Sequence, residues 1–202
     1  MRIGAVALLV LLVAGCGGGN KKTATTQRSC PVIGKDVTFP VLDEGKAYTA
    51  TVQTSLGTFA FSLDVKDSPC TTSSFAHLAR GGFFDGLTFH RIVPGFVIQG
   101  GDPKGDGTGG PGYSVVDTPP ADARYTRGVV AMAKTGTEPP GTSGSQFFVV
   151  TGADAGLQPD YALLGKVTAG LDVVERIGRA PTNPQTERPL RRIVIRRITV
   201  SP

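Results

Sequence analysis

The stretch that most constrains this chain is Leu87-Thr88-Phe89-His90-Arg91-Ile92-Val93, followed by Pro94-Gly95 and then Phe96-Val97-Ile98-Gln99-Gly100-Gly101-Asp102. Two short runs of β-branched and aromatic residues around a Pro-Gly pair read as strand, turn, strand. Period-two alternation puts Leu87, Phe89 and Arg91 on one face of the first strand. In the second, Phe96, Ile98 and Gly100 share one side, and Val97 and Gln99 the other. An arginine and a glutamine are thereby delivered to a sheet surface beside aromatic rings, with glycines clearing space after them. Such a surface suits the gripping of an extended peptide and its contact with one fixed positive charge.

The chain has 202 residues, enough for one well-filled domain plus a tail. Its 40% hydrophobic and 18% charged residues are a globular balance, and 28 glycines point to many turns. A net charge of +5 is mild, and the basic residues lack aromatic stacking platforms, so no nucleic-acid partner is expected. Arg191, Arg192, Arg196 and Arg197 flank and interrupt the last strand, where solvent exposure and edge protection account for them.

Arg2 precedes an apolar run, Ile3 to Val13, much shorter than a spanning helix requires. Residues 1–15 therefore read as a signal peptide. Val13-Ala14-Gly15-Cys16 looks like a bacterial lipobox, which predicts lipidation of Cys16 and an extracytoplasmic protein lipid-anchored to the cell membrane. Residues 16–46 read as the lipidated cysteine and a flexible tether, polar and glycine-rich at its start; Cys30-Pro31 ends its flexible part, and Phe39, Val41 and Leu42 are available to pack on the domain. With Cys16 acylated, Cys30 and Cys70 remain, and outside the cytoplasm they are expected to pair as a disulfide.

Strand patterns begin at Ala47. Tyr48, Ala50 and Val52 alternate up to a Gly57 turn, then Phe59, Phe61 and Leu63. Ser68-Pro69 is a helix opening with Ser as N-cap, Phe75, Leu78 and Ala79 form its buried side, and Gly81-Gly82 stops it. Gly100 to Gly112 is a glycine-rich loop. Further strands are expected over 128–133, 146–151, 164–167 and 193–200, and a second helix over 171–177. No internal repeat is present. Short strands with two helices predict a mainly β fold: a closed eight-stranded antiparallel barrel capped by two helices, over residues 47–202.

The central stretch resembles the signature of the cyclophilins, the peptidyl-prolyl cis–trans isomerases. So do Gly128-Val129-Val130-Ala131-Met132-Ala133-Lys134, Ser143-Gly144-Ser145-Gln146-Phe147-Phe148 and Asp160-Tyr161-Ala162-Leu163-Leu164-Gly165-Lys166-Val167, in the family's order. The resemblance implies an eight-stranded barrel and proline isomerase activity, a reaction that breaks no covalent bond and so calls for no metal and no cofactor. By matching motif positions it gives Arg91, Phe96 and Gln99 catalytic roles. Val97, Met132, Ala133, Lys134, Phe148, Leu157 and Tyr161 become substrate-binding. Val97 stands where many members have methionine, Lys134 where asparagine is common, and Tyr161 where some have histidine. Gly156-Leu157 occupies a region where some members place a tryptophan. These departures bear on drug binding more than on turnover.

The bond itself explains the pattern. Twisting an amide breaks its resonance against a barrier of roughly 18–20 kcal/mol, and no covalent bond need break. A catalyst needs an apolar slot for the ring, a grip on the flanking backbone and a donor for charge that appears on twisting. A planar, permanently protonated guanidinium meets the last need. His90, with no carboxylate at motif spacing, reads as a hydrogen-bonded structural histidine rather than an acid or base.

Other motifs fail. The 100–110 glycine run lacks a phosphate loop's Gly-Lys-Ser/Thr ending, a calcium loop beginning at Asp102 would need glutamate at Tyr113, and Gly141-Thr142-Ser143-Gly144-Ser145 lacks the last glycine of a nucleophile elbow. The expected partners are proline-containing segments of exported proteins and, through the lipid, the membrane. No heptad or apolar stripe argues against a monomer. Two other functions stay open: a proline-peptide binding module or holdase with little turnover, and, more remotely, a serine hydrolase.

Overall fold

Alternating apolar residues form the strands, and each pairs antiparallel with its neighbours in a computed structural model that describes residues 29–202. In chain order the elements are β1 (Ile33–Gly34), β2 (Thr49–Thr54), β3 (Gly57–Leu63), α1 (Pro69–Arg80), β4 (Phe89–Val93), β5 (Val97–Gly100), β6 (Tyr113–Val116), β7 (Val129–Met132), β8 (Thr142–Ser143), β9 (Phe147–Val150), β10 (Leu163–Ala169), α2 (Leu171–Gly178) and β11 (Ile195–Ser201). Eight of them make one sheet in the order β11-β2-β3-β10-β7-β9-β5-β4, and β1, β6 and β8 make a small second one. The sequence pattern anticipates both helices and all of the large sheet. It misses β1 and β8, two residues each and too short to show a period, and β6, whose Tyr113–Val116 follows directly on the glycine-rich loop.

The sheet curls but does not close, contrary to the expected barrel. β11 and β4 are its two ends, which meet only around the residues just before each, at the Thr88–Val194 bridge and through Ile195 N–H to the Leu87 carbonyl and Gly86 N–H to that of Ile195. The edge of β4 is met instead by the irregular run before β11. Phe89 N–H donates to the Ile193 carbonyl at 3.0 Å and Ile92 N–H to that of Glu187 at 2.8 Å. That run holds Pro189, which has no N–H, and Glu187 at φ 57, so it cannot lay down a regular ladder. The result is an open half-barrel with a covered edge.

Strand alternation divides the apolar residues between two clusters. Phe59, Phe61, Phe89, Ile92, Ile98, Met132, Phe147 and Val149 fill the concave interior with Phe75 of α1. Val97, Ala131, Phe148 and Val150 face the other way and pack with Tyr125, Phe96, Leu157 and Tyr161. Phe147 and Phe148 are adjacent in sequence and serve opposite faces of one strand.

Helix α1 begins with Pro69 at its first position, as the sequence predicts, but Ser68 makes no side-chain cap. The cap comes from far away: Thr71 N–H donates to the Asp117 carboxylate at 2.6 Å. A carboxylate at a helix N-terminus meets both the orphan amide and the positive end of the dipole. The helix buries Phe75, Leu78 and Ala79, and also its Ser and Thr residues, Thr71 and Ser74 against Ser143 and Tyr113 and Ser73 against the segment before β2. Leu42 N–H donates to Ser73 Oγ at 2.9 Å, Phe39 stacks on His77 at 5.5 Å, and the Cys30–Cys70 disulfide pins the segment to the first turn. The packed structure therefore begins by Cys30, where the sequence also ends the flexible part of the tether. Cys16 and the signal segment lie outside the described residues.

Candidate active site

Backbone register builds the site. Arg91 on β4 lies opposite Gln99 on β5, Gln99 opposite Phe148 on β9, and Phe148 opposite Ala131 on β7. Cross-strand neighbours on one face have touching side chains, so this row is a continuous surface. A bulge in β4 makes it possible. Between Phe89 and Arg91 the pairing advances two residues on β4 against one on β5, which turns Phe89 into the core while Arg91 faces outward. The expected shared face of Phe89 and Arg91 is thus broken, and Phe96, expected beside Ile98, sides with Val97 in the outer cluster. Gly101, at φ 85, lies where a Cβ would collide with the Ser145 carbonyl oxygen, so the chain turns sharply out of β5.

A slot of about 150 Å³ results, lined by Arg91, Phe96, Val97, Gln99, Ala133, Lys134, Phe148, Leu157 and Tyr161. Every site residue expected from the sequence gathers here except Met132. Between Ala131 and Ala133, strand period turns Met132 inward, where it is 1% exposed in the concave core. The slot adjoins a wider cleft of about 560 Å³ that shares Gln99, Ala133 and Lys134 and runs along Gly107 to Ser114.

The polar side of the slot is a chain of side-chain bonds. Arg91 Nε donates to Glu187 Oε2 at 2.6 Å and Nη1 to Gln99 Oε1 at 3.3 Å. Gln99 Nε2 donates to Gln146 Oε1 at 3.0 Å, and Gln146 Nε2 to the carbonyls of Gly107 and Gly109. Buried Asp102 shapes that glycine loop by accepting the N–H groups of Lys104, Asp106 and Gly107. Gln146 has a sequence signal, since it stands two residues before Phe148 and shares its face. Glu187 has none.

The apolar side rests on three rings. Phe148 and Tyr161 meet edge to face at 5.5 Å, and Tyr125 meets Tyr161 the same way at 5.8 Å. The Tyr125 hydroxyl donates to the Tyr161 carbonyl at 2.6 Å and accepts from the Tyr161 N–H at 3.0 Å. Burial pushes its phenol up to about 12, so it stays protonated and keeps both bonds. Lys134 folds away from solvent, 5% exposed, with Nζ at 5.6 Å from the Tyr161 ring centre and 3.7 Å from the Asp160 carboxylate. The Ala133 N–H is spent on the Gln146 carbonyl, so it does not serve a peptide.

His90 is not part of this slot. It lines a separate cleft with Asp102, Lys104 and Arg188, and neither buried ring nitrogen has a protein hydrogen-bond partner. The expected hydrogen-bonded histidine is thus an unbonded one, isolated by the bulge at its own position. Burial, with Arg188 and Arg91 nearby, holds it below its ordinary value despite the opposing Asp102 carboxylate.

Fold and slot together define an open half-barrel whose outer face holds a small apolar recess edged by one arginine. Residues 49–200 match the family model for cyclophilin type peptidyl-prolyl cis-trans isomerase/CLD. Peptidyl-prolyl cis-trans isomerase B of Streptomyces anulatus is 39% identical over 169 residues, 75% of this chain and 95% of that protein. Human peptidyl-prolyl cis-trans isomerase-like 1 is 41% identical over 143 residues, 69% of this chain and 84% of the relative. A crystal structure of a Cryptosporidium parvum cyclophilin type isomerase superposes with a TM-score of 0.70 at 28% identity, covering 78% of this chain and 99% of that one. The chain belongs to the cyclophilin-type peptidyl-prolyl cis–trans isomerase family, and isomerisation of X-Pro bonds is the activity that membership carries.

Proposed function

We propose that this protein isomerises X-Pro bonds of exported proteins without a covalent intermediate, with Arg91 stabilising the twisted amide. The slot carries this reading: an apolar recess of about 150 Å³, well below the ~300–1,000 Å³ of sites for drug-sized ligands, bordered by one forked cation. Phe96, Phe148 and Leu157 take the proline ring. The guanidinium, held by Gln99, offers N–H donors to the amide as resonance is lost, where a preorganised donor acts most strongly. The flanking peptide lies along the cleft past Gln99 and Ala133. That a Cryptosporidium parvum relative was crystallised in the presence of the dipeptide Ala-Pro fits a prolyl ligand. NMR exchange on an Xaa-Pro peptide tests the reading. Accelerated interconversion is expected, whereas binding without acceleration would favour a holdase.

The setting we propose is the outer face of the bacterial cell membrane, with Cys16 lipidated. Val13-Ala14-Gly15-Cys16 supports it, as does the Cys30–Cys70 disulfide, a bond of oxidising compartments. Cys16→Ser should move the protein from the membrane fraction to the soluble one. A mature chain carrying an unmodified Cys16 would refute the anchor.

A further inference from the structure

Glu187 lies 96 residues from Arg91, yet its Oε2 accepts from Arg91 Nε at 2.6 Å. It is also the only residue other than glycine with positive φ among the described residues, at 57°. A side chain in that region is strained, and strain persists only where surrounding structure holds it. Here the holding is explicit. Glu187 N–H donates to the Asn183 carbonyl, Asn183 N–H to that of Arg188, and Thr182 bridges to Pro189. Asn183 Oδ1 accepts from the Gln185 and Thr186 amides. Glu187 grips β4 twice, since its carboxylate meets Arg91 and its carbonyl accepts the Ile92 N–H next to it.

The ion pair does not explain itself as a source of stability. Its side chains are 36% and 41% exposed, and pairs that open to water contribute little. What it does supply is orientation. A guanidinium has five N–H donors. Glu187 takes the one on Nε and Gln99 one on Nη1, which fixes the plane from two sides and leaves the other donors for the slot that Arg91 lines.

We propose that Glu187 is a positioning residue for isomerisation, holding Arg91 Nε so that the free Nη donors meet the twisting amide. The inference rests on the reading of Arg91 as the donor. It predicts a loss confined to turnover and dependent on Arg91.

The test is a double-mutant cycle on the full chain: Glu187→Gln, Arg91→Ala, the pair together, and Glu187→Gly. Turnover comes from NMR exchange on a saturating Xaa-Pro peptide, affinity from titration of the same peptide, and folding from thermal unfolding. Glu187→Gln should lower turnover about tenfold to hundredfold, the scale of a misplaced catalytic group, with affinity changed by no more than about twofold because the slot is intact. Glu187→Gly should lose turnover likewise while melting no lower than the parent, since glycine relieves the left-handed backbone. In the Arg91→Ala background Glu187→Gln should change nothing further. Full turnover in a folded Glu187→Gln variant, with Arg91→Ala impaired, overturns this inference alone. An equal loss with and without Arg91 overturns it too. Full turnover in Arg91→Ala overturns the reading of Arg91 and this inference with it.

Discussion

Arg91 and His90 are neighbours in sequence and opposites in environment. The bulge in β4 sends Arg91 to the slot and leaves His90 buried, 7% exposed, with both ring nitrogens unbonded to protein. A buried imidazole resists protonation, so the folded protein refuses a proton that the unfolded chain accepts at about pH 6.5. Stability from this group is complete above pH 6.5 and is lost as pH falls from there toward the lowered folded value, because the unfolded state then binds more protons. His90→Gln should flatten that dependence, seen as the difference in urea midpoints between pH 7.5 and pH 5.5 for parent and variant. Parallel pH profiles would contradict it. At this scale the sequence is legible where a residue's place in the slot follows from its own motif. Arg91, Gln99 and Phe148 fall where the motifs place them, and Gln146 could have been added from its spacing to Phe148. Tyr125 and Glu187 act across 36 and 96 residues without a local pattern, so nothing near them announces a site. Met132 shares its motif with Ala133 but not its face, because strand period turns it inward.

Among the elements, the segment before β2 departs most from its sequence appearance. Its start is polar and glycine-rich and only Phe39, Val41 and Leu42 promise packing, yet from Cys30 it docks beside α1, whose buried face is rich in Ser and Thr hydroxyls. The reason is visible only in three dimensions: those hydroxyls are satisfied by Pro69, Tyr113, Ser143 and Leu42, so a polar helix face can be buried. The disulfide closes a separation of 40 residues, worth about 4 kcal/mol in the chain-entropy model. Replacing Cys30 and Cys70 together by serine should lower unfolding stability by up to that amount. Turnover below the melting temperature should be unchanged, since the slot stands on β4, β5, β7 and β9. Urea unfolding beside the exchange assay checks both halves, and unaltered stability would show that packing alone holds the segment. Asp117 as the cap of α1 is the same kind of finding. The sequence offered Ser68, but the partner lies 46 residues on from the Thr71 amide it caps.

For the whole molecule, the sheet's alternation was readable and its closure was not. Eight strands and two helices could be listed from period and punctuation, but whether the ends pair depends on Pro189 and left-handed Glu187, residues that read only as loop. The same open edge lets the run before β11 reach Arg91, so fold and site share one irregularity. The central claim is that Arg91 acts when the amide is twisted, while the ring pocket acts throughout. It is tested most directly by one comparison: turnover and peptide affinity of Arg91→Ala and Phe148→Ala, with circular dichroism to establish folding. Arg91→Ala should keep much of its affinity and lose about 10²–10³ in turnover, the cost of one preorganised donor, and Arg91→Lys should rescue it poorly because a flexible point charge lacks the fork. Phe148→Ala should weaken affinity and rate together. Isomerisation at the parent rate in folded Arg91→Ala would contradict the account.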